Sequence, residues 1–360
     1  MKLSKKITAG VLIIFIVMMP MLMILRKSFR FPEVSLKSLS DGSFVREFEE
    51  LFADGFSWRS MWVAASAEIN SRIGEPIVNG VYVADSRLID TGSAAQFDAE
   101  KTADIVNRFS EKCSGAVYFA AIPTSAGIYW DILPEYMFGT TEKQKADILY
   151  EKLNTDIRKI DAYSILKMLS DSYIYYRTDT KWTCYGAYCV YRTVVQKLGF
   201  MPVSYDKYTI RHMTDSYRGN LYSRTQYTES KSDQLDIYEY NDGTETASCI
   251  VYDNHGGNYS CELYNTDAVE TDNMYDLYLC SGQPLVKINT TVNNDRHLLV
   301  IGDEFVLNFV PFLTKHYSEI SVLFPEYMEK ETDYFVDTDR YEQTLILLGM
   351  DKMNILEMIK

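Results

Sequence analysis

Hydrophobic and polar positions follow two different periods along this chain, and their succession predicts its elements. Residues 7 to 25, ITAGVLIIFIVMMPMLMIL, form an apolar run of nineteen residues without a charge. Residues 43 to 74 repeat apolar side chains near the helical period and stop at Gly74, so they read as helical. NGVYVADSRLID, 79 to 90, predicts a β-hairpin turning at Asp85-Ser86. Helical spacing returns at 97 to 112, and AVYFAAIP, 116 to 123, is a short apolar run ended by proline, hence a buried strand. Residues 142 to 157 and DAYSILKML read as helices, YIYYR as a strand, and 182 to 198 as a helix closed by Gly199. From 205 to 296 the texture changes to short alternating runs such as LDIYEY, ASCIVYD and MYDLYLC, which predict an antiparallel β insertion. RHLLVIGDEF then reads as a buried strand and turn, FVLNFVPFLTKHY as a helix, SEISVLF as a strand and the tail as helical.

Outside the insertion, strands and helices alternate. That favours an α/β domain of three layers around a mostly parallel sheet, with chemistry gathered beyond the C-terminal strand ends. Two segments fit such a position: YYRTDTKW, 175 to 182, and VIGDEF, 300 to 305. The chain thus divides into residues 1–30, a membrane segment, and residues 31–360, one globular domain carrying the insertion at about 205–296.

Composition and charge narrow the setting. The uncharged run nearly spans a hydrocarbon core of roughly 30 Å. It is long for a signal peptide and lacks a small-x-small cleavage site, so it reads as an uncleaved signal anchor. The N-terminal tail is six residues long, which favours the N-terminus inside and the domain extracytoplasmic. The net charge is −14, and the first thirty residues hold six Lys or Arg and no acid. The remaining chain carries 30 basic and 50 acidic residues, which excludes nucleic acid or an anionic polymer as a partner held by bulk electrostatics. Neutral glycans and proteins stay open. No cysteine or histidine spacing suggests a metal, and no cofactor motif occurs. The six cysteines read mainly as free, buried thiols, with a disulfide among Cys249, Cys261 and Cys280 as the alternative.

YYRTDTKWTCYGAY (175–188) and IGDEFVLNFVPFLTKHYSEI (301–320) resemble two signatures of the DHHW family. DGFSWRSMW, NGVYVADSRLI, AIPTSAGIYWDILP and YRGNLYSRT add weaker matches in the same order, so that the resemblance spans about 50 to 330. The family is similar to alginate O-acetylation proteins and, more widely, to SGNH hydrolases and acetyltransferases. The resemblance implies an SGNH-like, flavodoxin-like fold and a context of envelope polysaccharide modification. It also implies a serine nucleophile after one strand and an Asp-x-His pair supplying orienting acid and base. Carried onto this chain, the acid is Asp179, the base position is Lys181 and the nucleophile position is Glu304.

Two of the three roles therefore fall to the wrong residue types. Lysine acts as a base only when its pKa is lowered, and the neighbours expected here, Asp179, Asp303 and Glu304, favour the ammonium. A glycosidase-like use of Glu304 would need a second carboxylate, for which Asp179 is the candidate. The sharper expectation is an ion pair of Lys181 with Glu304, with Asp179 as second acceptor, closing the old site as a structural knot. Trp130, Tyr175, Tyr176 and Trp182 are candidates for stacking on a sugar ring, against the alternative that they pack the core, and Asp303 is a further candidate ligand contact. Thr178 and Asp179 are candidate caps for the following helix. His212 and His255 are the candidate rescuing bases; His297 and His316 are not. The sequence thus favours a catalytically degenerate, membrane-anchored envelope protein that binds a polysaccharide or a polysaccharide-assembly protein. An active O-acetyltransferase or esterase and a purely structural scaffold are the alternatives.

Overall fold

The structure is a computed structural model that describes residues 59–73, 76–84, 86–91, 97–134, 141–240, 246–280 and 282–359. The uncharged N-terminal run lies outside them. Among the described residues no helix is long and apolar enough to cross a membrane. The chain divides into two compact units, one of residues up to Pro76 with Thr225–Thr228 and one of the remainder. The first contains a 15-residue helix, Arg59–Ile73, within the longer helical reading of 43–74.

The second unit holds the sheets. Its first strands, β1 (Ile77–Val78), β2 (Val81–Val83) and β3 (Leu88–Asp90), form an antiparallel meander, with Val83 opposite Leu88 across the expected hairpin. The main sheet contains β4 (Ala116–Ile122), β5 (Arg158–Ile160), β8 (Thr246–Tyr252), β9 (Asn258–Ser260), β10 (Leu285–Thr290), β11 (His297–Gly302), β12 (Glu319–Leu323) and β13 (Gln343–Gly349). Their order is β5-β4-β13-β11-β12-β10-β8-β9. The first five are mutually parallel, and the last three join antiparallel. The sheet is therefore mixed. The insertion is not a separate body, because β8, β9 and β10 extend the sheet beyond β12. Among the described residues of the insertion, β6 (Thr209–Tyr217) and β7 (Asp233–Glu239) alone form a separate ribbon.

Both faces of the parallel part are covered, which is why its strands read as continuous apolar runs. Tyr118, Ala120 and Ile122 of β4 point into one core with Leu298, Val300 and the Cys184–Lys197 helix. Val117, Phe119 and Ala121 point into the other, with Leu299, Ile301 and the Ala99–Glu111 and Glu142–Lys152 helices. This is the layered α/β arrangement that the alternation of elements predicts.

Five local readings need correction. MYDLYLC, expected as a β run of the insertion, holds the short helical turn Met274–Leu277 instead. QTLILLG lies in the tail expected to be helical, but it is the strand between β4 and β11. An apolar run buried on both faces has no period to separate strand from helix. YIYYR is not a strand; its one ladder contact is the bridge between Tyr175 and Trp182. The helix expected at 305–317 is broken into two short turns, Glu304–Val306 and Val310–Leu313. The cap of the Cys184–Lys197 helix is Thr183, whose hydroxyl accepts from Gly186 N, not Thr178 or Asp179.

Candidate functional site

The C-terminal ends of β11, β12 and β13 deliver Asp303-Glu304, Glu326 and Asp351-Lys352 to one edge of the sheet. They line a cleft of about 480 Å³ together with Asp90, Thr180, Lys181, Asn220, Phe305, Asn354 and Ile355. The turn 177–182 enters from the side of the ribbon. It is held by Asp233 of β7, whose carboxylate accepts from Arg177 N and Thr178 N, each at 2.8 Å, and from the Thr178 hydroxyl.

Asp179 sits at the end of this turn, 1% exposed at its side chain. One carboxylate oxygen accepts from Lys181 N at 3.1 Å and lies 2.9 Å from Lys181 Nζ. The other accepts from the Tyr217 hydroxyl at 2.5 Å and from Asn220 N at 3.1 Å. Gly219 makes that approach possible, since a Cβ there would stand 2.0 Å from Asp179 Oδ2. Burial raises the carboxyl pKa, but the Lys181 ammonium and the Tyr217 and backbone donors outweigh it and leave Asp179 below its ordinary value. The same contact pushes the Tyr217 phenol upward, after burial itself.

Lys181 is 8% exposed at its side chain, and its Nζ lies 3.3 Å from Glu304 Oε2 and 4.6 Å from the Tyr275 ring centroid. Burial lowers its pKa, yet Asp179 and Glu304 together hold it above the ordinary lysine value. It is a donor-only cation at neutral pH and has no lone pair for a proton. Glu304, in contrast, is 43% exposed and opens onto the cleft, so the triad is not the sealed knot expected from sequence. The closer partner of Lys181 is Asp179, with Glu304 as the outer one.

The neighbouring carboxyl, Asp303, is buried and accepts from Phe305 N at 3.0 Å and Gly349 N at 2.8 Å. Burial and the nearby Asp351 carboxylate raise its pKa to about 7, and Asp351 is itself raised, chiefly by burial. Lys352 pairs with Glu326 at 2.9 Å across the cleft rim. Among the described residues no group of three or more His, Cys, Asp or Glu could hold a metal ion.

The aromatic candidates are not ligand platforms in the cleft. Trp182 is fully buried; its Nε1 donates to Phe305 O at 3.1 Å and Asn308 Oδ1 at 2.7 Å, and its ring stacks on Phe309. Tyr175 and Tyr176 are buried too, the first donating to Pro123 O. Trp130 is exposed but does not line the cleft. The histidines are elsewhere: His212 pairs with Asp236, His316 with the Tyr191 hydroxyl, and His297 starts β11. None lines the cleft, nor does His255.

Sequence reasoning missed Tyr217, Asn220, Asp233, Glu326 and Asp351. YRGNLYSRT contained the first two and was legible as a motif, though not as the clamp on Asp179. Asp233 begins β7, and Glu326 and Asp351 follow the ends of β12 and β13, strands whose pairing is set only by the tertiary fold.

Residues 64–323 match the family described as DHHW protein. A solved DHHW family protein from Eubacterium siraeum superposes with a TM-score of 0.66 at 21% identity, over 78% of this chain and 96% of that one. Bacillus cereus PatB1, solved with a sulfonyl adduct, gives 0.64 at 18% identity over 78% of this chain and 100% of its own. At these identities the likeness is one of fold. No curated protein matches the chain. With the family match covering most of the sequence, the chain belongs to the DHHW family.

Proposed function

We propose that this protein is an envelope-facing member of its family that binds an uncharged, hydroxyl-rich glycan in the cleft and does not transfer acyl groups. The observation that carries this reading is the environment of Lys181. An ammonium fixed between Asp179 at 2.9 Å and Glu304 at 3.3 Å stands where a base is needed, and a carboxylate stands where a hydroxyl nucleophile is needed. What remains is a cleft rich in acceptors: Asp90, Asp303, Glu304, Glu326 and Asp351 against Lys181 and Lys352. Such a wall suits sugar hydroxyl donors and repels uronates and other anionic chains.

An array of neutral and uronic oligosaccharides tests it with the full-length chain. Neutral glycans should be retained, and Asn354→Ala, at the cleft wall, should weaken that retention roughly tenfold, the loss of about one hydrogen bond. Hydrolysis of an acetyl ester that disappears in Glu304→Ala would overturn the reading and favour a working esterase or acetyltransferase.

The uncharged run at 7–25, flanked by lysine and arginine, supports anchoring in the membrane with the domain outside. Alkaline carbonate washing should leave the full chain in the membrane fraction and release a chain lacking residues 1–30. Release of the full chain would sink the anchor.

A further inference from the structure

Three of the cysteines converge at the far edge of the sheet. β8 and β9 pair antiparallel with Ile250 opposite Ser260, Val251 opposite Tyr259 and Tyr252 opposite Asn258. One step further along the ladder stand Cys249 and Cys261, and Cys261 N donates to Cys249 O at 2.9 Å. Residues directly opposite in an antiparallel ladder have Cα atoms about 4.5–5.5 Å apart, inside the span that a disulfide bridges. The register cannot drift, because the turn is tied. Asp253 Oδ1 accepts from His255 N and Gly257 N, both at 2.8 Å, Asp253 N donates to Gly257 O, and Gly256 has φ 87°. The two sulfurs face each other at 2.6 Å, and Cys280 approaches Cys261 from the loop after the Met274–Leu277 turn. Cys249 is buried, whereas Cys261 is part-exposed.

We infer that Cys249 and Cys261 are a disulfide site that staples β9 to β8, loaded by thiol–disulfide exchange with an external disulfide donor and leaving Cys280 as a thiol. The exposed partner reacts first. The Cys261 thiolate attacks one sulfur of the donor disulfide and displaces the other as a donor thiolate. The Cys249 thiolate then attacks the Cys261 sulfur of the mixed disulfide and displaces the second donor sulfur. One S–S bond is broken and one formed; the cysteines lose two electrons, the donor gains them, and the two cysteine protons end on two donor thiols. The Cys249 thiol at its side and burial push Cys261 up to about 12, so loading by a small disulfide is slow at neutral pH and faster as pH rises.

The consequence lies at the sheet edge. β9 is an edge strand of three residues, all exposed, held on one side only. A short, solvent-facing edge frays readily, and a covalent cross-link at its inner end fixes both its register and the tied turn.

The test is to incubate the folded full-length chain with oxidised glutathione at pH 7 and pH 9, quench, and alkylate in denaturant. Two of the six thiols should disappear, faster at pH 9. Chymotryptic cleavage, which cuts at Tyr252 between the partners, should yield one peptide pair joined through Cys249 and Cys261. Cys280→Ser should lose the same two thiols. Six thiols still free at both pH values, a link from Cys261 to Cys280, or failure of the bond in Cys280→Ser would each overturn the assignment.

Discussion

Replacing Lys181 with methionine is expected to destabilise the fold by about 3 kcal/mol, the low end of the cost of orphaning a buried charge. Methionine fills similar volume, so the loss is electrostatic rather than a cavity. Asp179 would stay behind with four neutral donors, the Tyr217 and Thr180 hydroxyls, Asn220 N and the backbone N of residue 181, and without its cation. Those donors are why the low end applies. Glu304→Gln removes the other partner of the same ammonium, but from an exposed carboxylate, and should cost under about 1 kcal/mol. The double change Asp179→Asn with Lys181→Met should recover part of the loss, since no charge is then stranded. Urea denaturation of the three variants measures this. A loss in Lys181→Met no larger than in Glu304→Gln would mean that the inner pair is not where the energy lies.

A second large effect concerns pH. Glu142, at the start of its helix, is buried against Thr124, whose backbone N–H donates to Oε2 at 2.9 Å while its hydroxyl lies 2.5 Å from Oε1. Gly127 leaves it room, since a Cβ there would fall 2.2 Å from Oε2. Burial raises Glu142 from 4.5 to about 7, as burial and Asp351 raise Asp303 from 3.8 to about 7. In both cases the folded protein holds a proton that the unfolded chain gives up. Their stabilising contribution is complete below the unfolded pKa and is lost as pH rises through about 7. At about 1.4 kcal/mol per pKa unit this amounts to at most roughly 3–4 kcal/mol for each group. Asp179 works in the opposite direction, since its lowered pKa gives stability present above the ordinary aspartate range and lost as pH falls below it. Stability should therefore peak near pH 4 to 5, well on the acid side of neutral. Urea melts between pH 4 and 8 check the slope, and Glu142→Gln, the shape of the protonated acid, should flatten it while keeping acid-side stability. A slope unchanged in both Glu142→Gln and Asp303→Asn would remove these carboxyls as its cause.

Sequence carried the frame of this molecule further than its details. β4, β11 and β12 were legible as short apolar runs, each ended by a proline or a turn, and the Cys184–Lys197 helix by its helical spacing and its stop at Gly199. β13 was not, since its four consecutive buried apolar residues, Leu345 to Leu348, carry no alternation, and only its place between two parallel partners makes it a strand. At the site, the motif spacing brought residues 179, 181 and 304 into one place across 123 residues of chain. The depth of each was hidden. Nothing in the letters of Trp182 separates a sugar-stacking face from a core ring whose nitrogen is already spent on Phe305 and Asn308. Likewise, the exposure of Glu304 depends on where the ends of β12 and β13 fall, which is a property of the assembled sheet.

The clamp around Asp179 bears on how chains of this kind are sorted. Its carboxylate is gripped from three directions, by its own turn, by the end of β6 and by the peptide after Gly219. An acid tied in that way is needed for folding even when no reaction depends on it. An intact aspartate at this place is therefore not by itself a sign of turnover. The letters that bear on turnover are those at positions 181 and 304, which line the cleft.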